Sequence, residues 1–202
     1  IHLVAKDGKS AGHIDDLTRR AWRIIEAAPE IYVRTAEHPC VPLLPSVVRS
    51  FDEVYETIPD FAAVYAEIAS RVLALARQGD VVYAVPGDPL VAESTVIRLL
   101  AAAKAEDIPV EVVNGISFVE PALALLGIDA LDGLQLLDGL TVAQLHPPPM
   151  NPDFPALLAQ VLQTDQKQRR RSVHPDPAHF SIDRNRDTVS STHQGLGVNG
   201  MA

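Results

Sequence analysis

Val81-Val82-Tyr83-Ala84-Val85 is an unbroken apolar run that passes through Pro86-Gly87-Asp88-Pro89 into a helix-forming segment. A strand without polar alternation is buried on both faces, and a turn leading straight into a helix is how parallel strands are joined. The run therefore calls for a parallel sheet covered by helices on both sides, an α/β fold.

The rest of the chain has the matching rhythm. Ile1 to Val4 reads as a buried first strand, and Thr18 can cap a helix through Ala28 with Ala21, Trp22 and Ile25 on one face. Ile31 to Val33 is a second strand, and the prolines between His38 and Pro45 make that stretch irregular. Asp60 can cap a long helix whose Phe61, Val64, Tyr65, Ile68, Val72 and Leu75 recur at helical spacing. Helices over about 93–106 and 117–126, with strands at 110–113 and 134–137, complete an order that implies parallel pairing through right-handed crossovers. From about Gln163 the composition turns to Gln, Arg, Ser, Asp and His without period, which predicts a disordered tail over 163–202. The expected divisions are a first lobe over 1–114, a partial second lobe over 115–162 and that tail.

Composition removes several functions. A formal net charge of -9 over 202 residues argues against affinity for phosphate backbones, so nucleic acid is not an expected partner. Cys40 is the single cysteine, which excludes an internal disulfide and a thiolate metal cluster and fits a cytoplasmic setting. The seven histidines lack ligand spacing, so no metal site is expected. No apolar stretch nears the ~20 residues of a membrane helix, and the start does not resemble a signal peptide. The chain opens at Ile1 without an initiator methionine and so reads as part of a longer protein. Ser94 has no nucleophile elbow and no histidine partner at a familiar spacing, which leaves triad hydrolysis unsupported.

Two turns carry the chemistry. Ligands of open parallel sheets bind at the carboxyl ends of strands. At the first such turn Gly87 permits close backbone approach, Pro86 and Pro89 stiffen the loop, Asp88 offers a carboxylate suited to an ammonium-bearing ligand, and Val91 and Ala92 lead into the helix. The second, Asn114-Gly115-Ile116-Ser117, presents amides and a hydroxyl that could hold a nucleoside or carboxylate. The blander alternative is equally open: Gly-Asp-Pro is a common turn, and Ser117 could serve only as a helix cap.

With their spacing, these residues resemble the tetrapyrrole (corrin/porphyrin) methylase family of S-adenosylmethionine (SAM)-dependent methyltransferases. The resemblance is nearest to its YabN-like branch, whose members are fused to MazG-type nucleotide pyrophosphohydrolases. Val85 to Val91 is similar to that family's strand-end SAM loop, and Asn114-Gly115-Ile116-Ser117-Phe118 to its later Gly-Ile-Ser loop. Tyr32-Val33-Arg34-Thr35 with His38-Pro39, Phe51 to Tyr55, and Phe61 to Tyr65 add to the likeness, which spans roughly residues 1–160.

The resemblance implies a parallel-sheet αβα first lobe and SAM as cofactor, held by Pro86, Gly87, Asp88, Pro89, Val91, Ala92, Gly115, Ile116 and Ser117, with Arg34 and His38 near a substrate cleft. It also implies a small-molecule acceptor, a homodimer and a MazG-type pyrophosphohydrolase partner domain. The family follows its first strand with a Gly-x-Gly-Pro-Gly-Asp loop, whereas this chain has Ala5-Lys6-Asp7-Gly8-Lys9-Ser10-Ala11-Gly12, and the likeness fades near Val161, which implies an incomplete second lobe. Two functions stay open: a methyltransferase acting on a tetrapyrrole-like or other small acceptor, and a non-catalytic SAM-binding or regulatory domain. A generic nucleotide-binding domain is weaker, since no Gly-x-Gly-x-x-Gly or P-loop lysine follows a strand.

Overall fold

The computed structural model describes residues 2–6, 14–160, 181–184 and 187–190. It forms two compact units, Ile1–Pro121 and Ala122–Ala202. Both sequence turns singled out above belong to the first.

Five strands make the first unit's sheet: β1 (His2–Lys6), β2 (Glu30–Val33), β3 (Val47–Ser50), β4 (Val82–Pro86) and β5 (Glu111–Val113). Their order is β3-β2-β4-β1-β5, and every pairing is parallel. β4 is therefore interior, as its unbroken apolar run demanded. Its side chains divide between two cores. Val82 and Ala84 pack with Ile31, Val33, Val113 and with Ala21 and Ile25 of helix α1 (Arg19–Ala27). Tyr83 and Val85 pack on the other face with α2 (Asp52–Thr57), α3 (Phe61–Ala76) and α4 (Ser94–Ala105), through Val54, Val64, Ile68, Val72, Val96, Leu99 and Ala103. Burying each such valine, leucine or isoleucine side chain favours the fold by ~1.5–3 kcal/mol, so the sheet and its two helical layers stand or fall together.

Local chemistry sets the helix starts. Thr18 Oγ1 accepts from Ala21 N at 3.2 Å, and Asp60 Oδ2 accepts from Ala63 N at 2.8 Å, each side chain satisfying an amide that the first turn leaves open. α3 departs from its expected apolar face at one end: Phe61 is exposed and stacks on Tyr65 at 6.3 Å rather than entering the core. Edge strand β3 was not marked by the pattern.

In the second unit, β6 (Gln135–Asp138) pairs parallel with β7 (Ala156–Ala159), which continues antiparallel into β8 (Ser181–Arg184) and β9 (Asp187–Ser190). Those last two strands are an exception to the irregular tail expected over 163–202. The remainder of that tail, and residues 7–13 of the altered first loop, lie outside the described residues. No helix among the described residues is long and apolar enough to cross a membrane.

Candidate functional site

The carboxyl ends of β4 and β5 each feed a turn, and β1 lies between the two strands. At the first turn Gly87 takes φ +73°, a conformation that costs glycine little, and Asp88 is almost fully buried at 9% exposure. Its carboxylate faces inward. Oδ1 accepts from Leu90 N at 2.9 Å, closing an Asx turn over Pro89, and the Asp88 carbonyl accepts from Val91 N at 3.1 Å. Oδ2 reaches past β1 and accepts from Gly115 N and Asn114 Nδ2, both at 3.2 Å. The sequence expected this carboxylate at the rim for an ammonium group; in the structure its oxygens serve the two turns instead. Hydrogen bonds to a charged acceptor are worth roughly 1.5–3 kcal/mol, so the clasp is a substantial restraint.

The second turn is bound further on its far side. Thr18, the α1 cap, donates its hydroxyl to Asn114 O at 3.4 Å. Ser117 and Glu120 form a reciprocal capping box at the start of α5 (Val119–Leu126): Glu120 Oε2 accepts from Ser117 N at 2.8 Å and from Ser117 Oγ at 2.6 Å, while Oγ accepts from Val119 N at 3.0 Å. Ser117 therefore holds the helix start.

Between Asp88 and α4 the first turn stores strain. Ala92 sits at φ +57°, a left-handed conformation that costs a non-glycine residue about 1–2 kcal/mol. The next residue, Glu93, occupies the N-cap position of α4 without making a side-chain cap bond. Its carboxylate instead meets Arg34, which directly follows β2, at 2.8 Å from Nη1; the two side chains are 5% and 15% exposed. Tyr55, Tyr65 and Tyr83 surround the pair. Burial works against the Arg34 charge, but Glu93 and the three phenols outweigh it and raise its pKa. Burial likewise pushes all three tyrosine hydroxyls above their ordinary range. Tyr83 Oη faces Thr95 Oγ1 deep in this cluster without closing a hydrogen bond of normal geometry.

His38 takes a different part. It is buried within its own loop, with Nδ1 3.1 Å from Cys40 Sγ and 3.4 Å from Cys40 N. The structure therefore draws Pro86, Gly87, Asp88, Pro89, Gly115 and Ser117 into one connected set, with Arg34 tied to it through Glu93. Around them Leu90 and Ala92 are exposed, and Val91 and Ile116 are half-buried. Sequence reasoning missed Glu93 and its tyrosine shell. One signal was present: an acidic residue at a helix start faces an apolar i+4 neighbour, Ile97, and so has no local cation.

An open groove of about 940 Å³ lies at the opposite, amino edge of the sheet, lined by residues including His2, Arg20, Glu30, Gly79 and Glu111. Neither turn borders it, and for a parallel sheet the carboxyl edge has the stronger claim to a ligand. Among the described residues, no group of three or more His, Cys, Asp or Glu could hold a metal ion.

Comparison with known proteins supports this placement of the chain. Uncharacterized protein YabN of Bacillus subtilis (strain 168) is 40% identical over 139 residues, which are 67% of this chain and 28% of that protein. The structure is similar to uroporphyrin-III C-methyltransferase from Thermus thermophilus, with a TM-score of 0.57 and 25% identity over 78% of this chain and 66% of that one. A second structure of the Thermus thermophilus enzyme, complexed with S-adenyl homocysteine, matches with a TM-score of 0.53 and 20% identity over 94% of this chain and 86% of that chain. The chain thus spans little more than a quarter of the curated relative and just under two thirds of the first methyltransferase structure. The family profile described as Tetrapyrrole (Corrin/Porphyrin) Methylases matches residues 10–167, and with a methyltransferase fold around the two clasped turns, the chain belongs to that family.

Proposed function

We propose that this chain binds SAM at the turns after β4 and β5 and acts as the methyltransferase domain for a tetrapyrrole-like or other small acceptor. The observation that carries the reading is the Asp88 clasp, which fixes two glycine-bearing turns side by side at the carboxyl edge of a parallel sheet. The residues present suit the cofactor. Gly87 brings main chain without a Cβ to the edge, and Leu90, Val91, Ala92 and Ile116 offer partly open apolar surface for a nucleoside and thioether. When bound, SAM supplies a methyl group already activated on a sulfonium. The chain's own share is to hold the turns at Pro86 to Ala92 and Gly115 to Ser117, to exclude water and to align the acceptor, tasks that need no acid-base pair.

Calorimetric titration with SAM and S-adenosylhomocysteine tests this reading. Folded protein that gives no heat with millimolar ligand would sink it, and binding unaffected by Gly87→Val would show that the turn is misplaced.

A second reading is a regulatory SAM-binding domain that belongs to a longer protein with a MazG-type pyrophosphohydrolase. Its support is that the relative YabN extends far beyond the matched region, and that this chain replaces the family's first glycine-rich loop with a segment containing Lys6 and Lys9. SAM binding with no methyl transfer to candidate acceptors, together with altered pyrophosphohydrolase activity of the full-length protein, would favour it. A homodimer and a cytoplasmic setting belong to the same proposal; light scattering tests the former and fractionation the latter.

A further inference from the structure

The turn between β4 and α4 is held at both ends by carboxylates that reach in opposite directions across the sheet. Asp88, at its start, is joined to the turn after β5. Glu93, at its end, is joined to Arg34 after β2, the strand on β4's other side. Between these two fixed points Ala92 is kept in a left-handed conformation at φ +57°. A backbone in that region persists only where its surroundings over-determine it. The Asp88 clasp accounts for the first half of the turn, since its bonds end at Leu90 and Val91. Ala92 needs a second restraint on its carboxyl side, and its immediate neighbour Glu93 provides one.

The surroundings of that restraint make it stiff. Glu93 lies at the N-terminus of α4, where a negative charge is favoured, yet it is turned to Arg34 rather than used as a cap. Tyr55, Tyr65 and Tyr83 enclose the pair, and water that would loosen the attraction is largely kept out.

We propose that Arg34 and Glu93 are positioning residues, holding the Gly87–Glu93 turn, strained at Ala92, in the form that receives SAM. This rests on the SAM reading above. Neither side chain touches the cofactor; the pair acts through the backbone of Val91 and Ala92. A turn that is receptive only a tenth of the time binds about tenfold more weakly, with no loss of any contact in the bound state.

The test compares affinity with stability in three proteins. Ala92→Gly removes the conformational strain, because glycine takes φ near +57° at little cost, and keeps every side chain of the clasp. Arg34→Met/Glu93→Met replaces the ion pair by apolar groups of similar length, an exchange that folded proteins commonly accept without loss of stability. Calorimetry with S-adenosylhomocysteine should show about tenfold weaker binding for the double variant relative to wild type, and wild-type or tighter binding for Ala92→Gly, whose receptive form no longer carries the strain. Melting temperature and near-ultraviolet circular dichroism should stay at wild-type values or, for Ala92→Gly, show a rise in melting temperature. A residue that only supported the fold would move melting and affinity together. Weaker binding in Ala92→Gly overturns the inference even if the double variant fails to fold, and wild-type affinity in a folded double variant overturns it as well. Folded wild-type protein that binds neither SAM nor S-adenosylhomocysteine overturns the SAM reading and the positioning role together; wild-type binding with an unaltered double variant overturns the positioning role alone.

Discussion

The Asp88 carboxylate and the Gly115 amide meet at 3.2 Å across the carboxyl end of β1, joining two turns that are separated by 27 residues in the chain. Asn114 Nδ2 shares the same oxygen, so one aspartate satisfies a main-chain donor and a side-chain donor from the neighbouring turn. Asp88→Ala leaves the Gly115 and Leu90 amides without that acceptor, and the expected loss is roughly 1–3 kcal/mol of unfolding free energy in urea titration. Asp88→Asn keeps one acceptor oxygen and should lose less. Equal stability of Asp88→Ala and wild type would show that the clasp contributes nothing.

The Arg34–Glu93 pair leads to a different pattern. Removing one partner strands a charge in the tyrosine shell, so Arg34→Met and Glu93→Met should each cost about 3–5 kcal/mol. The double change should cost far less than the sum, because no lone charge remains. A double-mutant cycle read by chemical denaturation checks the coupling, and additive losses would mean that the two groups do not depend on each other.

The shape of the fold was legible in the sequence where burial imposes a period. β4 is interior and apolar throughout, α4 buries Val96, Leu99 and Ala103 on one face, and Thr18 and Asp60 announce their helices as caps. β3 was not legible because it is an edge strand: Val47 is 55% exposed and Arg49 and Ser50 follow, so little burial is required of it. β8 and β9, four residues each, carry no apolar alternation that would mark them as strands. At the site, the glycines and prolines of the two turns could be found from local backbone rules. The partners of Asp88 and Glu93 could not, since a carboxylate's acceptor role is satisfied through space, here across 27 and 59 residues. Local rules place a turn at Asp88 and a helix start at Glu93, but not the burial of either side chain.

The tyrosines around Arg34 give the protein an alkaline limit. Burial is the main cause of the raised values of Tyr55, Tyr65 and Tyr83, with Glu93 adding to each. A phenol whose pKa rises on folding keeps its proton in the folded chain at a pH where the unfolded chain has released it. Its contribution is therefore complete below the unfolded value of about 10 and is lost as pH climbs above it. Unfolding free energy should fall above about pH 10, and phenolate absorbance of the folded protein should rise later than that of the urea-unfolded chain. Tyr83→Phe should weaken this alkaline loss. At neutral pH it should be close to neutral in stability, since the hydroxyl has no hydrogen bond of normal geometry to lose. A steeper alkaline loss in Tyr83→Phe would contradict the assignment.

Ser117 and Glu120 can be separated from the ligand question by their own energetics. The box satisfies amides at the start of α5, so Ser117→Ala should cost about 1 kcal/mol, and Glu120→Ala should cost less once Ser117 is gone. Amide exchange of the first turn of α5 reads the effect directly. Unchanged protection at Ser117 and Val119 in the double variant would exclude the box as the restraint on that turn.

In the second unit the most sensitive backbone position is Gly133, which ends a short 3-10 turn at Ala130–Asp132 with φ +103°. Two conditions hold it there. That φ is open to glycine and strained for any other residue, and a Cβ added at this point would overlap the Phe154 ring. The main chain beneath the ring is fixed, because the Gln135 amide grips that segment from β6. Nε2 donates to Asn151 O at 2.8 Å and to Phe154 O at 3.1 Å, and Oε1 accepts from Asn151 N at 2.7 Å. Gly133→Ala should therefore push Phe154 outward, break part of the Gln135 staple and loosen the β6–β7 pairing, at a cost above the ~1 kcal/mol of an ordinary left-handed alanine. Limited proteolysis should cut near Phe154 sooner in the variant, while α3, β4 and α4 keep their wild-type amide protection. Loss of protection in those three elements as well would show that the two units do not unfold separately.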